Sequence, residues 1–197
     1  MTNTDDLRYV RTEQAIRSAF MDLVSEMPVA SVTASAICRN AGISRNAFYL
    51  HHASVSSLYA TLVGEMVDDI RAESIAWVDK CASTGFDDEF YELMIASLAR
   101  HEDLLRALLP SDDGSLAKCL AEGIENAFLE AALRFGKHGG NFEHQLRCAY
   151  SAWAVVGFAS RWISETDRSL VEGLDNFREL LTSVIDSSAR YFMKSNA

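Results

Sequence analysis

The sequence predicts an all-α fold: a small N-terminal three-helix unit, a long connecting helix and a larger helical body, about nine helices in all. Three observations predict it. Apolar residues recur at spacings of three and four almost throughout. Only two prolines, Pro28 and Pro110, interrupt the chain. No stretch shows the strict alternation of a half-buried strand.

The elements follow in order. From Arg11 to Met27, the residues Ile16, Phe20, Leu23, Val24 and Met27 line one helical face, and Pro28 closes the helix. Thr33 is placed to cap a second helix over Ala34–Asn40, and Gly42 supplies the left-handed stop after it. Ser44 is placed to cap a third short helix ending near His51. A long helix from Ser54 carries Val55, Leu58, Tyr59, Leu62, Met66, Val67 and Ile70 at the same period. Continued to Lys80 it would span about 40 Å, enough to join two lobes.

The stretch Ser83–Asp88 is the next break, followed by helices over Phe86–Arg100 and Glu102–Leu109. Pro110 opens a loop, Leu116–Phe135 forms a further helix, and the glycine-rich stretch Gly136–Asn141 ends it. Phe142–Ile163 is apolar on nearly every side, the mark of a helix buried all round. Leu170, Leu174, Phe177, Leu181 and Val184 alternate by four and three, and Leu180, Ile185 and Phe192 widen that stripe. Either these last two helices lie at the centre of the chain's own core, or they cover a core on one side and a second copy on the other. C2 dimers are the commonest oligomers, which favours the second arrangement.

At 197 residues, 49% of them hydrophobic, the chain suits one compact domain or a small domain fused to a larger one. It opens MTNTDDLRYVR, without a basic start and apolar run. Its most apolar stretch, Leu146–Ile163, is broken by Arg147, Ser151, Ser160 and Arg161. A membrane span needs roughly 20 mostly apolar residues, so a buried helix and a cytoplasmic protein are expected, with no membrane partner. Cys38, Cys81, Cys119 and Cys148 are far apart and read as reduced core thiols rather than a metal or redox motif.

The net charge of −10 is uneven. Residues 1–60 hold five arginines, five acids and no lysine, while the remainder holds 13 basic and 23 acidic groups. A neutral head on an acidic body fits a nucleic-acid-binding module attached to a domain that touches none.

The stretch Ser31–Ala53, SVTASAICRNAGISRNAFYLHHA, carries the chemistry. Ile37 and Cys38 of one short helix face inward, the turn Ala41-Gly42-Ile43 follows, and Phe48 of the next helix faces inward. Ile43 and Phe48 would hold the pair at the steep angle of a helix-turn-helix. Arg45, Asn46, Ala47 and Tyr49 are then left outside, at the end of the helix that reaches base edges in a major groove. Arginine can grip guanine, asparagine can grip adenine, and an alanine methyl can touch thymine. Thr33 and Ser44 would offer hydroxyls and backbone N–H groups to phosphates.

These residues resemble the N-terminal signature of the TetR-type transcriptional regulators. That signature runs threonine, isoleucine-alanine, alanine-glycine-valine-serine, then threonine-phenylalanine-tyrosine and a histidine. This chain has Thr33, Ile37-Cys38, Ala41-Gly42-Ile43-Ser44, Ala47-Phe48-Tyr49 and His51 in the same order and spacing. The signature covers about the first quarter of the chain; the rest agrees in length and helix order.

The resemblance implies that Arg45, Asn46, Ala47, Tyr49 and His51 lie on the recognition helix, with Thr33, Ser44 and Tyr49 against the DNA backbone. It implies a DNA-binding domain over residues 1–53, with its motif over about 33–51, and a ligand-binding and dimerisation domain over 54–197. It further implies a homodimer through the last two helices (about 142–163 and 170–193), a near-palindromic double-stranded operator and a small-molecule effector that releases a repressor. Two positions depart from the family, which often has an aromatic residue at His52 and a phosphate-holding lysine at Val55.

Catalysis and metal binding find no pattern. His51 and His52 are adjacent, so on a helix they would point about 100° apart and not converge. His138, Glu143 and His144 lack the spacing of a zinc hydrolase motif. No phosphate-cradling loop or nucleophile elbow occurs, and the acids at Asp87-Asp88-Glu89 and Asp112-Asp113 fall at helix starts or loops. No enzyme, cofactor or metal is therefore expected.

In the resembled family the C-terminal region encloses a ligand pocket. Among its aromatics (Trp77, Phe90, Tyr91, Phe128, Tyr150, Trp153, Phe158 and Trp162), Tyr150 and Trp153 are the pocket candidates, with Met94 beside them. An acidic, aromatic-rich body favours an apolar or cationic effector. The rival reading is a helical small-molecule-binding protein of the same fold with weak or lost DNA binding, suggested by Val55 and the absent lysines.

Overall fold

Local capping decides where the helices start and stop. A computed structural model describes residues 3–84, 95–134, 142–177 and 179–180, and its regular elements there are all helical. Helix α1 spans Asn3–Glu26 and is followed, after Pro28, by a single 3-10 turn over Val29–Ser31. Its start lies eight residues before the point where the apolar period becomes readable. Leu7, Tyr9 and Val10 are 54%, 53% and 49% exposed, so this first part of α1 carries no burial pattern for a sequence to display.

Helices α2 (Ala34–Ala41) and α3 (Arg45–His51) have the predicted caps. The Thr33 hydroxyl accepts from the Ala36 N–H at 3.2 Å, and the Ser44 hydroxyl from the Ala47 N–H at 3.1 Å. Each such cap contributes about 1 kcal/mol by satisfying an otherwise orphaned donor. Gly42 ends α2 in the left-handed region, at φ 65° and ψ 30°. The Ile43 N–H then reaches back to the Cys38 carbonyl at 3.0 Å, closing the turn.

Helix α4 runs over Val55–Thr84, 30 residues, or about 45 Å at the standard rise. Residues 95–100 form the helical segment α5. Helix α6 (Glu102–Leu108) passes into a 3-10 turn over Leu109–Ser111. Helix α7 spans Ser115–Arg134 and α8 spans Phe142–Glu165. Asp112 caps α7, its carboxylate accepting from the Leu116 and Ala117 N–H groups at 3.0 Å each.

The core is continuous from α1 to Phe177. Ile16, Phe20, Ile37 and Phe48 bury the three N-terminal helices against one another, and Leu58, Met66 and Ile70 carry that core along α4. Helix α7 packs between α4 and α8. Its contact with α4 is close at Gly123, where a Cβ would stand 2.7 Å from Val67 Cγ1.

Two expectations change here. Helix α8 is not buried all round: Cys148, Ala152, Val155, Val156, Ala159 and Ile163 are in the core, but Phe142, Leu146, Tyr150 and Trp153 are 73%, 53%, 60% and 48% exposed. It has two apolar faces, and the described residues cover only one of them. The last helix does not begin at Leu170, since residues 170–173 form turns and helix resumes at 174. Leu170 and Phe177 are fully buried, whereas Leu181, Val184, Ile185 and Phe192 lie outside the described residues.

The end of α8 is clamped by α6. Arg106 donates to the carbonyls of Ile163 (3.4 Å), Thr166 (2.9 Å) and Arg168, while Glu102 accepts from the Leu170 N–H at 3.0 Å and from the Arg106 Nε at 2.8 Å. These orphan carbonyls at a helix C-terminus thus receive a cationic donor. Because α6 also packs on α1, the clamp joins the end of α8 to the N-terminal helices.

Candidate nucleic-acid interface

The outward face of α3 follows from helix geometry. Residues 45, 46, 49 and 50 fall within about 140° of the helical wheel at 100° per residue, opposite Phe48, which is fully buried. Arg45, Asn46, Tyr49 and Leu50 are all exposed; Ala47, at the margin, is half-buried. The Arg45 guanidinium hydrogen-bonds to the Ser35 hydroxyl, so it bridges α3 to α2 while remaining at the surface. Tyr49 is 55% exposed, its ring edge-on to Phe48 at 5.4 Å. Thr33 and Ser44 are exposed at the starts of α2 and α3, with their hydroxyls engaged as caps.

His51 does not share this face. Its side chain is only 4% exposed, stacked on Tyr9 with ring centroids 3.9 Å apart, and its Nδ1 meets Glu13 Oε2 at 2.9 Å. On the helical wheel it falls on the Phe48 side, which turns its ring toward α1 rather than toward a ligand. His51 therefore seats α3 against α1.

His52 converges on the same carboxylate. Its Nε2 lies 3.0 Å from Glu13 Oε2 and 3.1 Å from Oε1. The expected 100° divergence fails because His52 is the C-cap, in extended conformation at φ −135° and ψ 129°, and no longer obeys helical spacing. Arg17 on α1 completes the cluster, its Nε 2.7 Å from Glu13 Oε1 and its two terminal nitrogens on the Glu65 carboxylate of α4 at 2.5 and 2.8 Å. Glu13 thus joins α1, α3 and the residue after α3, and Arg17 extends the link to α4.

Burial pushes the Glu13 carboxyl up, but the Arg17 hydrogen bond, the neighbouring His52 and the His51 hydrogen bond outweigh it and hold it below the ordinary range. The Arg17 hydrogen bond likewise holds Glu65 down, and Glu65 in turn raises Arg17. A guanidinium occupies one carboxylate oxygen, and among the described residues no group of three His, Cys, Asp or Glu side chains is placed to hold an ion.

Two residues of this region escape a sequence reading. Glu13 lies 38 residues from His51, and nothing local marks the pairing. Leu50 is 80% exposed; its one signal is an apolar residue set off the Phe48 stripe. At the start of α4, Ser54 caps through the Ser57 N–H at 3.0 Å, and Val55 packs against the core. No cation stands at that position. The exposed arginines of the N-terminal helices are Arg8, Arg11, Arg39 and Arg45.

Two of the three pocket candidates are exposed. Tyr150 and Trp153 project from the uncovered face of α8, because the opposite face supplies the core residues. Met94 lies outside the described residues. Cys38 and Cys148 are buried and Cys119 is half-buried, none of the three in a disulfide, and burial raises the Cys148 thiol to about 12. Among the described residues no helix is long and apolar enough to cross a membrane.

A capped helix-turn-helix pair within three N-terminal helices, followed by a long helix and a helical body, is the architecture of the TetR-type transcriptional regulators, and the chain has that fold. It is similar to a TetR transcriptional regulator from Streptococcus agalactiae 2603V, at 20% identity and a TM-score of 0.64, over 92% of this chain and 97% of that one. It is similar to the dihydroxyacetone kinase operon activator DhaS, at 18% identity and a TM-score of 0.62, over 88% and 96%. In sequence it is 35% identical to the uncharacterized HTH-type transcriptional regulator YxbF of Bacillus subtilis (strain 168), over 35% of this chain; the match spans a fifth (20%) of that relative's length. No protein-family profile matches the chain.

Proposed function

We propose that the protein is a homodimeric, ligand-responsive DNA-binding transcriptional regulator, acting as a repressor released from a near-palindromic operator by a small-molecule effector. The observation that carries the reading is α3 itself. It is capped at Ser44, anchored by Phe48 and His51, and presents Arg45, Asn46, Tyr49 and Leu50 outward. Residues 1–53 are the DNA-binding part and residues 54–197 the effector and dimer part. The likeness to regulators in fold, and over part of the chain in sequence, supports this reading.

Dimerisation is supported by the uncovered apolar face of α8, which a second copy would bury about a two-fold axis. Two α3 helices about 34–36 Å apart then meet successive major grooves. An effector that binds better to a conformer with another spacing shifts the population and releases DNA. In a mobility-shift assay with DNA flanking its own gene, Arg45→Ala and Tyr49→Ala are each expected to weaken binding about tenfold, at roughly 1–3 kcal/mol per lost contact. Variants that bind like the parent would remove α3 as the reading helix.

A further inference from the structure

Arg45 opens α3, and its guanidinium is held from the neighbouring helix. Its Nη2 donates to the hydroxyl of Ser35, the second residue of α2. Both side chains stand on fixed mounts. Thr33 caps the start of α2, Ser44 caps the start of α3, and the Ile43 N–H bond to the Cys38 carbonyl at 3.0 Å closes the turn between them. A bond between two such mounts immobilises a long side chain that would otherwise sample many rotamers in water.

The bond holds the guanidinium without using it up. Arginine carries five N–H donors, and the Ser35 hydroxyl takes one of them. Nη2 has two hydrogens, one on each paired edge of the guanidinium. Whichever of them the hydroxyl accepts, one edge with two parallel donors stays open. Guanine O6 and N7 accept from such an edge in a major groove. The partner is also neutral. Arg17 is neutralised by Glu13 and Glu65, but among the described residues no carboxylate pairs with Arg45, so its charge remains available to DNA.

We infer that Ser35 is a positioning residue for base recognition: it holds the Arg45 guanidinium ready for a guanine without touching the base itself. The inference rests on the reading of α3 proposed above and narrows it to one base and one supporting side chain. An arginine immobilised before binding loses less entropy on meeting DNA, and that saving belongs to the guanine contact. Ser35 therefore governs discrimination as well as affinity.

The test is a mobility-shift double-mutant cycle with the full chain on DNA flanking its own gene. Guanines are replaced one at a time by 7-deazaguanine, which pairs normally but lacks the N7 acceptor. At least one replacement is expected to weaken the parent and to leave Arg45→Ala unaffected. Ser35→Ala is expected to weaken binding about threefold to tenfold and to shrink the preference for guanine over 7-deazaguanine at that position, with helicity and urea midpoint unchanged. In the Arg45→Ala background the same change should stay within about twofold. Ser35→Thr, which keeps the hydroxyl, should bind like the parent. Parent-like or tighter binding by Ser35→Ala would overturn the inference. So would an equal loss in both backgrounds, since Ser35 would then contact the DNA itself. A parent-like Arg45→Ala would overturn it together with the reading of α3 on which it rests.

Discussion

Glu13 shows how much one side chain can organise. Its carboxylate receives His51, His52 and Arg17, and through Arg17 it is tied to Glu65 on α4. Glu13→Gln removes a charged acceptor from partly buried donors, so it is expected to cost about 1–3 kcal/mol at neutral pH in urea unfolding. The pH dependence follows from the sign of the shift. The folded state holds this carboxyl below its ordinary 4.5, so its contribution is complete above that value. It is lost as pH falls through the depressed folded value. The gap between parent and variant should therefore narrow from pH 5 toward pH 3; a gap that widened would mean the carboxylate is not stabilised by the fold. Both histidines are plain in the sequence, but their shared partner is not, because it is supplied by a helix 38 residues away.

Among the elements, the α2–α3 turn was the most legible part of the chain. Thr33, Gly42 and Ser44 each act through bonds to residues a few positions away, which is why their roles could be read directly. At Gly42 nothing lies within 4 Å of an added Cβ, so Gly42→Ala meets only the backbone cost of φ 65°, about 1–2 kcal/mol. Gly42→Asn is expected to recover part of that loss, read as a shift of the urea midpoint. Gly123 is the opposite case. Inside a helix it resembles a weak point that alanine would improve by about 1 kcal/mol. Yet its Cβ would strike Val67 Cγ1 at 2.7 Å, and a β-branched side chain cannot swing away freely. Gly123→Ala is therefore expected to destabilise, by about 1–3 kcal/mol, and Val67→Ala in the same chain to relieve it. Additive effects in that double-mutant cycle would contradict the close approach of α4 and α7.

For the whole molecule the uncovered face of α8 sets the expectation. Tyr150→Glu/Trp153→Glu places two charges on that face and should give a monomer by light scattering with helicity unchanged. A persistent dimer would move the proposed seam elsewhere. The charge distribution makes a second expectation. With no lysine in residues 1–60 and Arg17 held by two carboxylates, four arginines per chain remain for phosphates. Eight in a dimer would release about 0.9 counterion each, so the logarithmic salt slope of DNA binding should be no steeper than about −7. A steeper slope would require cations from outside the first 60 residues.

The helical class, the capped α2–α3 pair and the arginine-only head were determined by the sequence alone, because each depends on periodicity, on local hydrogen bonding or on simple charge. The tertiary structure decided what depends on distant residues meeting. It turned His51 inward to Glu13 and placed Tyr150 and Trp153 on an outer face of α8. An apolar residue looks the same in a sequence whether its neighbour is its own core or a second chain. Only the packing of α7 against one side of α8 shows which side is left over.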